Sequence, residues 1–412
     1  MLPAGSPLSA WLTWLETLSP NEIELGLERV QVVLDQLDLR LPKHVITVGG
    51  TNGKGSSVAM SGALLRGAGY TVGIYTSPHI VDYNERIVVG TNPVSDEQIV
   101  AAFETIESVR NDVPLTYFEY GTLAAFVVFS MADLDVWLLE VGMGGRLDAV
   151  NVIDPTAALI TNVALDHCAW LGEDIETIAV EKAGIMRPGI PVVYGDPDVP
   201  KAIRRCADAV GARLLLRDRD YSLDGIPQPG LSGAFQVGNA AAVIALLRAA
   251  GLEDATTDEL VARVLPDIRV TGRGQRIEKD GVEWLIDVAH NPAAATKLAD
   301  ILAEGPAAGN TVAIVGMLDD KDVEGTIAPL NRHVDRWIAL AADSARAIAA
   351  GELARRIANA TDRPCQVAAS LEDALQAACR DLSAGDRILV TGSFYIVGPV
   401  LRSLGLYSRP ET

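Results

Sequence analysis

Residues 44–57 read HVITVGGTNGKGSS: an apolar run, then glycines, one lysine and two hydroxyls. A strand, a Gly-rich loop and a helix start in that order can hold phosphate. The glycines let backbone N–H groups approach the anion, and the helix N-terminus adds about half a positive charge. In the common nucleotide loop, Ser or Thr directly follows the Lys. Here Gly55 follows Lys54, and Ser56 and Ser57 come one step later. Gly53, Lys54, Gly55 and Ser56 therefore predict a phosphate cradle, with Lys54 on the β- and γ-phosphates, and leave open what holds the accompanying metal.

Three further stretches offer ligands. Ser77 follows the apolar run TVGIYT and precedes Pro78; Glu140 lies inside the apolar run VWLLEVG; Asp166-His167 follows AALITNV. A buried carboxylate is costly unless paired or metal-bound. Gly142, Gly144 and Gly145 let a ligand approach the backbone, and Arg146 and Asp148 follow them. A hydroxyl, a carboxylate and an imidazole at the ends of strands in one sheet suit a phosphate-bound Mg²⁺, which prefers oxygen, so His167 is the odd member. Each also has an ordinary reading: an ST-turn for Ser77, an ion pair for Glu140, a satisfied imidazole for His167. Lys182, in a helix whose face is otherwise apolar, reads as a snorkelling surface lysine. Asp287 and His290 end a later strand, Asn291-Pro292 opens a helix, and Arg273 lies in a connector from which it could swing between two units. Caps or turns are the plain alternative for these.

The elements that must position these residues follow from hydrophobic period. Apolar residues at helical spacing over 7–37 predict two short amphipathic helices. Helices are expected over 56–68, near 95–110 and near 119–132, and a long Ala-rich one follows QPGLSG. Strands are expected at 44–50, 71–76, 136–142 and 157–163. Their continuous apolar runs imply a sheet covered on both faces, and the alternation of strand and helix implies a parallel one. VTGRGQRIEKDG (270–281) reads as a polar connector. A second strand–helix series begins at EWLIDVAHNP and continues through TVAIVG, DRWIAL and DRILVTGS. The expected class is α/β: a parallel-sheet P-loop domain over 1–274, then a smaller Rossmann-like domain over 275–412.

The chain has 412 residues, which suits two or three domains. Hydrophobic residues make up 49% and charged residues 21%, enough for large cores. The net charge is −20, a poor match for nucleic acid or anionic membrane, so neither is expected as a partner. Anions must be met by local N–H groups, metal ions and single cations. The four cysteines are scattered and form no C-x-x-C pair, as suits reduced thiols in the cytoplasm. Residues 1–15 contain no Lys or Arg, so no secretory leader is expected, and no run reaches the roughly 18 apolar residues of a membrane helix.

Taken together, GTNGKGS, YTSPH, NERI, LLEVGMGGRLDAVN, ALDH, EKAGI and DVAHNP resemble, in order and over nearly the whole chain, the folylpolyglutamate synthase/dihydrofolate synthase family of the Mur ligase superfamily. The resemblance implies an ATP-dependent ligase that joins L-glutamate to dihydropteroate or a reduced folate through an acyl phosphate. It implies ATP and two Mg²⁺, held by Ser77, Glu140 and His167, with Lys182 carbamylated to an N6-carboxylysine ligand. Lys54, His167 and Lys182 would be the catalytic set. Thr116, Tyr117, Phe118 and Glu119, together with Arg146, Leu147, Asp148 and Ala149, would bind the pterin substrate. Asn239, Arg273, Asp287 and His290 would contact nucleotide, some of them from the second domain, which closes over the first. The chain carries Cys168-Ala169 where some members have Thr-Asp. A monomer is expected. A Mur-type cell-wall amino-acid ligase and a nucleotide-gated switch are the rival readings.

Overall fold

In a computed structural model the chain is described at residue 3 and over residues 5–18, 24–279, 281–380 and 382–407. Residues 19–23 of the expected helical region and Asp280 of the expected connector lie outside these.

Among the described residues, fourteen strands form two sheets. The first contains β1 (His44–Gly49), β2 (Val72–Tyr75), β3 (Ile87–Val89), β4 (Asn92–Pro93), β5 (Val136–Glu140), β6 (Ala157–Ile160), β7 (Pro191–Tyr194) and β8 (Arg213–Leu216). Their order is β4-β3-β2-β5-β1-β6-β7-β8, parallel except at the β4-β3-β2 edge. The second contains β9 (Gln275–Lys279), β10 (Val282–Ile286), β11 (Thr311–Val315), β12 (Arg336–Ala339), β13 (Cys365–Val367) and β14 (Arg387–Thr391). Their order is β13-β12-β11-β14-β10-β9, and only β9 runs antiparallel.

The apolar runs are explained by cover on both faces. In β5, Trp137 and Leu139 enter a core with Trp11, Phe103 and Phe126, while Val136 and Leu138 enter a core with Leu64 and Val243. In β14, Leu389 faces a core with Leu298 and Leu353, and Ile388 and Val390 face one with Ala374 and Val397. The expected helices appear as Leu8–Leu15, Glu28–Leu34, Lys54–Gly67, Asp96–Val109, Tyr117–Met131 and Gln236–Ala249. The third begins at Lys54, two residues earlier than expected, because Gly53 takes a left-handed conformation (φ 86°) and caps it.

The polar connector needs correction. Residues 275–279 are β9, an edge strand paired antiparallel with β10. Its burial alternates between half-buried and exposed, so charged residues sit on it comfortably; they protect a sheet edge from further pairing.

The order of β2, β5, β1 and β6 determines the site. Their C-terminal ends lie side by side, and there an α/β sheet leaves its crevice. Val48 of β1 pairs with Glu140 of β5, the phosphate-type loop follows β1, Ser77 follows β2 and His167 follows β6.

Candidate active site

The loop at residues 50–56 is bolted to the segment after β6. Thr161 Oγ1 donates to the Asn52 carbonyl (2.7 Å), Asn162 Oδ1 accepts from the Asn52 N–H (3.0 Å), and Thr51 Oγ1 accepts from the Ala164 N–H (3.0 Å). Gly50 allows this approach, since a Cβ there would run into Thr161 Oγ1. Lys54 is half-buried, and its amine donates to the loop's own carbonyls, Gly50 O (3.1 Å) and Thr51 O (3.2 Å). Burial lowers its pKa, opposed by the nearby Glu140 and Asp166 carboxylates.

A cavity of about 1240 Å³ opens over this loop, larger than a single small ligand needs. Gly53, Lys54, Gly55, Ser56, Ser77, Glu140, His167 and Lys182 all line it. Glu140 is 3% exposed and accepts the Ser77 N–H at 3.3 Å; burial raises its pKa, against the pull of Lys54 and Arg273. Lys182 is also 3% exposed, so the snorkelling reading is overturned. Its helix Ile175–Ala183 turns this position inward, and burial, with Lys54 nearby, lowers the amine to about 7.

His167 sits in the left-handed region (φ 52°), unusual for a non-glycine residue. Its Nδ1 is buried without a hydrogen-bond partner, its Nε2 lies 3.4 Å from the Lys321 amine, and burial lowers the imidazole to about 4, so the ring is neutral. Among the described residues no three His, Cys, Asp or Glu side chains form a metal cage. Glu140, Ser77 and the neutral His167 imidazole make a sparse donor set. That fits Mg²⁺, which keeps waters and takes phosphate oxygens alongside one or two protein carboxylates.

Thr116, Tyr117, Phe118, Glu119, Leu147, Asp148 and Ala149 line the same cavity. Thr116 caps helix Tyr117–Met131 in a capping box with Glu119. The Glu119 carboxylate is fully engaged: it accepts the Thr116 N–H (2.7 Å) and the Arg29 guanidinium (2.8 Å). It holds the helix start rather than offering a free acceptor. Asp148 accepts N–H groups from Met143 (2.9 Å) and Val150 (3.0 Å), and burial raises it to about 6. Arg146 departs from its neighbours: its half-exposed side chain pairs with Glu181 (2.8 Å) and it is not among the cavity residues.

Arg273, just before β9, and Asp287 and His290, just after β10, also line the cavity. Asp287 accepts the Gly274 (2.7 Å) and Ala289 (2.8 Å) N–H groups, Arg273 lies over the Phe394 ring (5.1 Å), and His290 Nδ1 contacts Val288 O (2.8 Å). Asn239 is not a lining residue but backs the loop; a Cβ on Gly53 would touch its amide at 3.4 Å.

Sequence reasoning missed a cross-domain hub. Asp166 accepts from Lys321 Nζ (2.7 Å) and from Asn291 Nδ2 (2.9 Å), and Asn291 exchanges hydrogen bonds with Asn52 of the loop (3.1 and 3.2 Å). Burial opposes ionisation of Asp166, but His290, His167 and Lys321 outweigh it and hold its pKa low. The sequence marked Asp166 only as the neighbour of His167, and Lys321 sits in a charged turn, LDDKD, that resembles any surface loop.

Comparison with known proteins gives a consistent picture. The family "Mur ligase, glutamate ligase domain" matches residues 272–394. A dihydrofolate synthase/folylpolyglutamate synthase of Escherichia coli K12 is 41% identical, over 97% of this chain and 96% of the relative. The structure of E. coli FolC in complex with DHPP and ADP is 40% identical, with a TM-score of 0.90 over 98% of this chain and 99% of that one. A bifunctional folylpolyglutamate synthase/dihydrofolate synthase with Mn, AMPPNP and L-glutamate bound is also 40% identical, with a TM-score of 0.90 over 98% of this chain and 100% of that one.

Proposed function

The chain belongs to the dihydrofolate synthase/folylpolyglutamate synthase family, and from that premise we propose how this ATP-dependent ligase joins L-glutamate to dihydropteroate or to the glutamate tail of a reduced folate. The observation that supports the reading best is the single cavity in which the Lys54 loop, Glu140, Lys182 and the 116–119 and 147–149 segments meet residues of the second sheet. Residues 1–274 bind ATP phosphates and pterin, and residues 275–412 bring nucleotide contacts and the glutamate side.

The acceptor's carboxylate oxygen attacks the γ-phosphorus and ADP leaves, giving an acyl phosphate. The glutamate amine then attacks the acyl carbon, an amide bond forms, and phosphate departs with the former carboxylate oxygen. Lys54 and the N–H groups of the loop face the charge that shifts toward the β–γ bridge and stabilise it where little water competes. Ser77, Glu140, His167 and Lys182 are the residues that would hold Mg²⁺, which when bound supplies Lewis-acid neutralisation of the phosphate oxygens. The second domain covers the cavity and keeps water from the acyl phosphate. No enzyme nucleophile is needed.

Phosphate release tests the reading against a nucleotide switch. We expect release only when ATP, dihydropteroate and glutamate are all present; steady release without both acceptors would reject a ligase. A Mur-type cell-wall substrate in place of dihydropteroate is expected to give none.

Lys182 is proposed to carry a carbamate. With its amine lowered to about 7, more than half is neutral at pH 8, and a neutral amine adds to the carbon of CO₂ and sheds a proton. Activity at pH 8 is expected to fall in CO₂-free buffer and return with bicarbonate, with the adduct seen by mass spectrometry. Full activity in CO₂-free buffer with an unmodified Lys182 peptide would remove the idea. Among the described residues no helix is long and apolar enough to cross a membrane, in keeping with the cytoplasmic placement proposed here.

A further inference from the structure

The loop from Ser77 to Arg86 carries one expected metal ligand and much of the wall around the acceptor side of the cavity. Its inner shape is built on Glu85, whose carboxylate accepts the N–H groups of Ile80 (2.8 Å), Val81 (2.8 Å) and Asp82 (2.7 Å). Arg86 donates to His79 Nδ1 (2.9 Å) and lies over the rings of Tyr83 (5.3 Å) and Tyr117 (5.7 Å).

The outer side of this loop rests on the second domain. Ile80 packs against the core cluster of Val288 and Val397, which belongs to the second sheet. Helix Phe394–Ser403 comes so close that a Cβ on Gly398 would run into the Ile80 carbonyl oxygen. One turn on, Arg402 reaches the Val81 carbonyl (3.3 Å) and the Asp82 carboxylate (3.4 Å). Residues 394, 398 and 402 are four apart and share one helix face. At the start of that face, the Phe394 ring lies 5.1 Å from the Arg273 guanidinium carbon and 6.1 Å from the His290 ring. One face thus touches the expected nucleotide contacts at its first turn and the acceptor loop at its second and third.

We infer that helix 394–403 is a strut that sets the acceptor loop from the nucleotide side, and that Gly398 and Arg402 are positioning residues for the acceptor substrate. The glycine is there because backbone meets backbone, and any larger residue would displace the loop at Ile80 and with it the Tyr83 ring that packs 5.8 Å from Tyr117. This rests on placing the acceptor beside Tyr83, Tyr117 and Phe118. A merely structural contact would change stability; a strut changes acceptor binding while leaving the nucleotide cradle, which sits on the other sheet, intact.

The test compares Gly398→Ala, Arg402→Ala and Arg402→Lys with the parent chain. It reads KM for dihydropteroate, KM for ATP and kcat, with ADP affinity by calorimetry. Gly398→Ala is expected to raise KM for dihydropteroate by about tenfold or more, and Arg402→Ala by about threefold, with ADP affinity within about twofold of the parent and Arg402→Lys largely restored. An unchanged KM for dihydropteroate, or a parallel loss of ADP affinity, overturns the inference. If Gly398→Ala does not fold, the Arg402 pair and amide hydrogen exchange in the parent chain decide. Exchange at Ile80, Val81 and Asp82 is expected to slow when AMPPNP is added without acceptor; unchanged exchange overturns the strut. A parent chain that fails to use dihydropteroate at all would count against the acceptor reading instead, and the exchange result would still decide the strut.

Discussion

Lys54→Ala is expected to lower kcat by ~10³-fold, the loss typical when one preorganised charge-stabilising donor is removed from a dry site. The argument is one of place. The side chain is half-buried, its desolvation lowers its pKa, and among the described residues it donates to two neutral carbonyls of its own loop, Gly50 O and Thr51 O. It is therefore held at the loop without a salt bridge to give up, ready for a charged phosphate oxygen as a stronger acceptor. The loop's hold on the segment after β6 does not depend on this side chain, since Thr161, Asn162 and Thr51 make those bonds. ADP binding should weaken less than turnover, which separates a transition-state role from uniform binding. Lys54→Arg is not expected to rescue, because a planar guanidinium does not fit a slot made for a point charge. Turnover within about tenfold of the parent would sink the assignment, since a single ordinary hydrogen bond accounts for that much.

The parts of the fold that were legible are those where physics leaves a strong local signature. Continuous apolar runs such as VWLLE identified strands because both faces of a parallel sheet are buried. Not every strand was read: β7, Pro191–Tyr194, is a buried apolar run of only four residues and was passed over, and two others lack the signature altogether. β9 is a charged edge, and β13, Cys365–Val367, is short and half-exposed. Ser77, Glu140 and His167 could be placed near one another because each follows or ends a strand of the same sheet, and strand C-termini share a crevice. Lys182 was harder: local helix period allows a lysine to point either way, and only the packing of its helix puts it inside. Arg146 failed for the opposite reason. It lies in a Gly-rich loop whose neighbours reach the cavity, yet its own side chain turns outward to Glu181. Asp166–Lys321 was not readable at all, because its two ends are 155 residues apart and no local pattern links them.

That hidden pair gives the second large effect. Lys321→Ala and Asp166→Ala are each expected to lower kcat by roughly 10²-fold, because each removes the nearest partner of a buried charge, a loss of about 3–5 kcal/mol in comparable pairs, and leaves only the more distant Asp320 (3.3 Å) beside Lys321 or His290 (3.4 Å) beside Asp166. Both side chains are under a tenth exposed, and the amine and carboxylate lie 2.7 Å apart. The cost falls on the docked arrangement of the domains. Separating them lets both groups return to water, so a lone buried charge favours the open arrangement. The neighbouring Asn291–Asn52 bonds tie the same seam to the loop at residues 50–56, so opening it withdraws the second domain from the residues proposed to hold nucleotide. Removing both charges at once, as Asp166→Ala with Lys321→Ala, should cost clearly less than the sum of the two single changes, since neither charge of the pair is left behind. The measurement is a double-mutant cycle on kcat, with ADP affinity as the control for the cradle itself. A coupling below about 0.5 kcal/mol would mean that the two residues act independently and that the seam does not set closure.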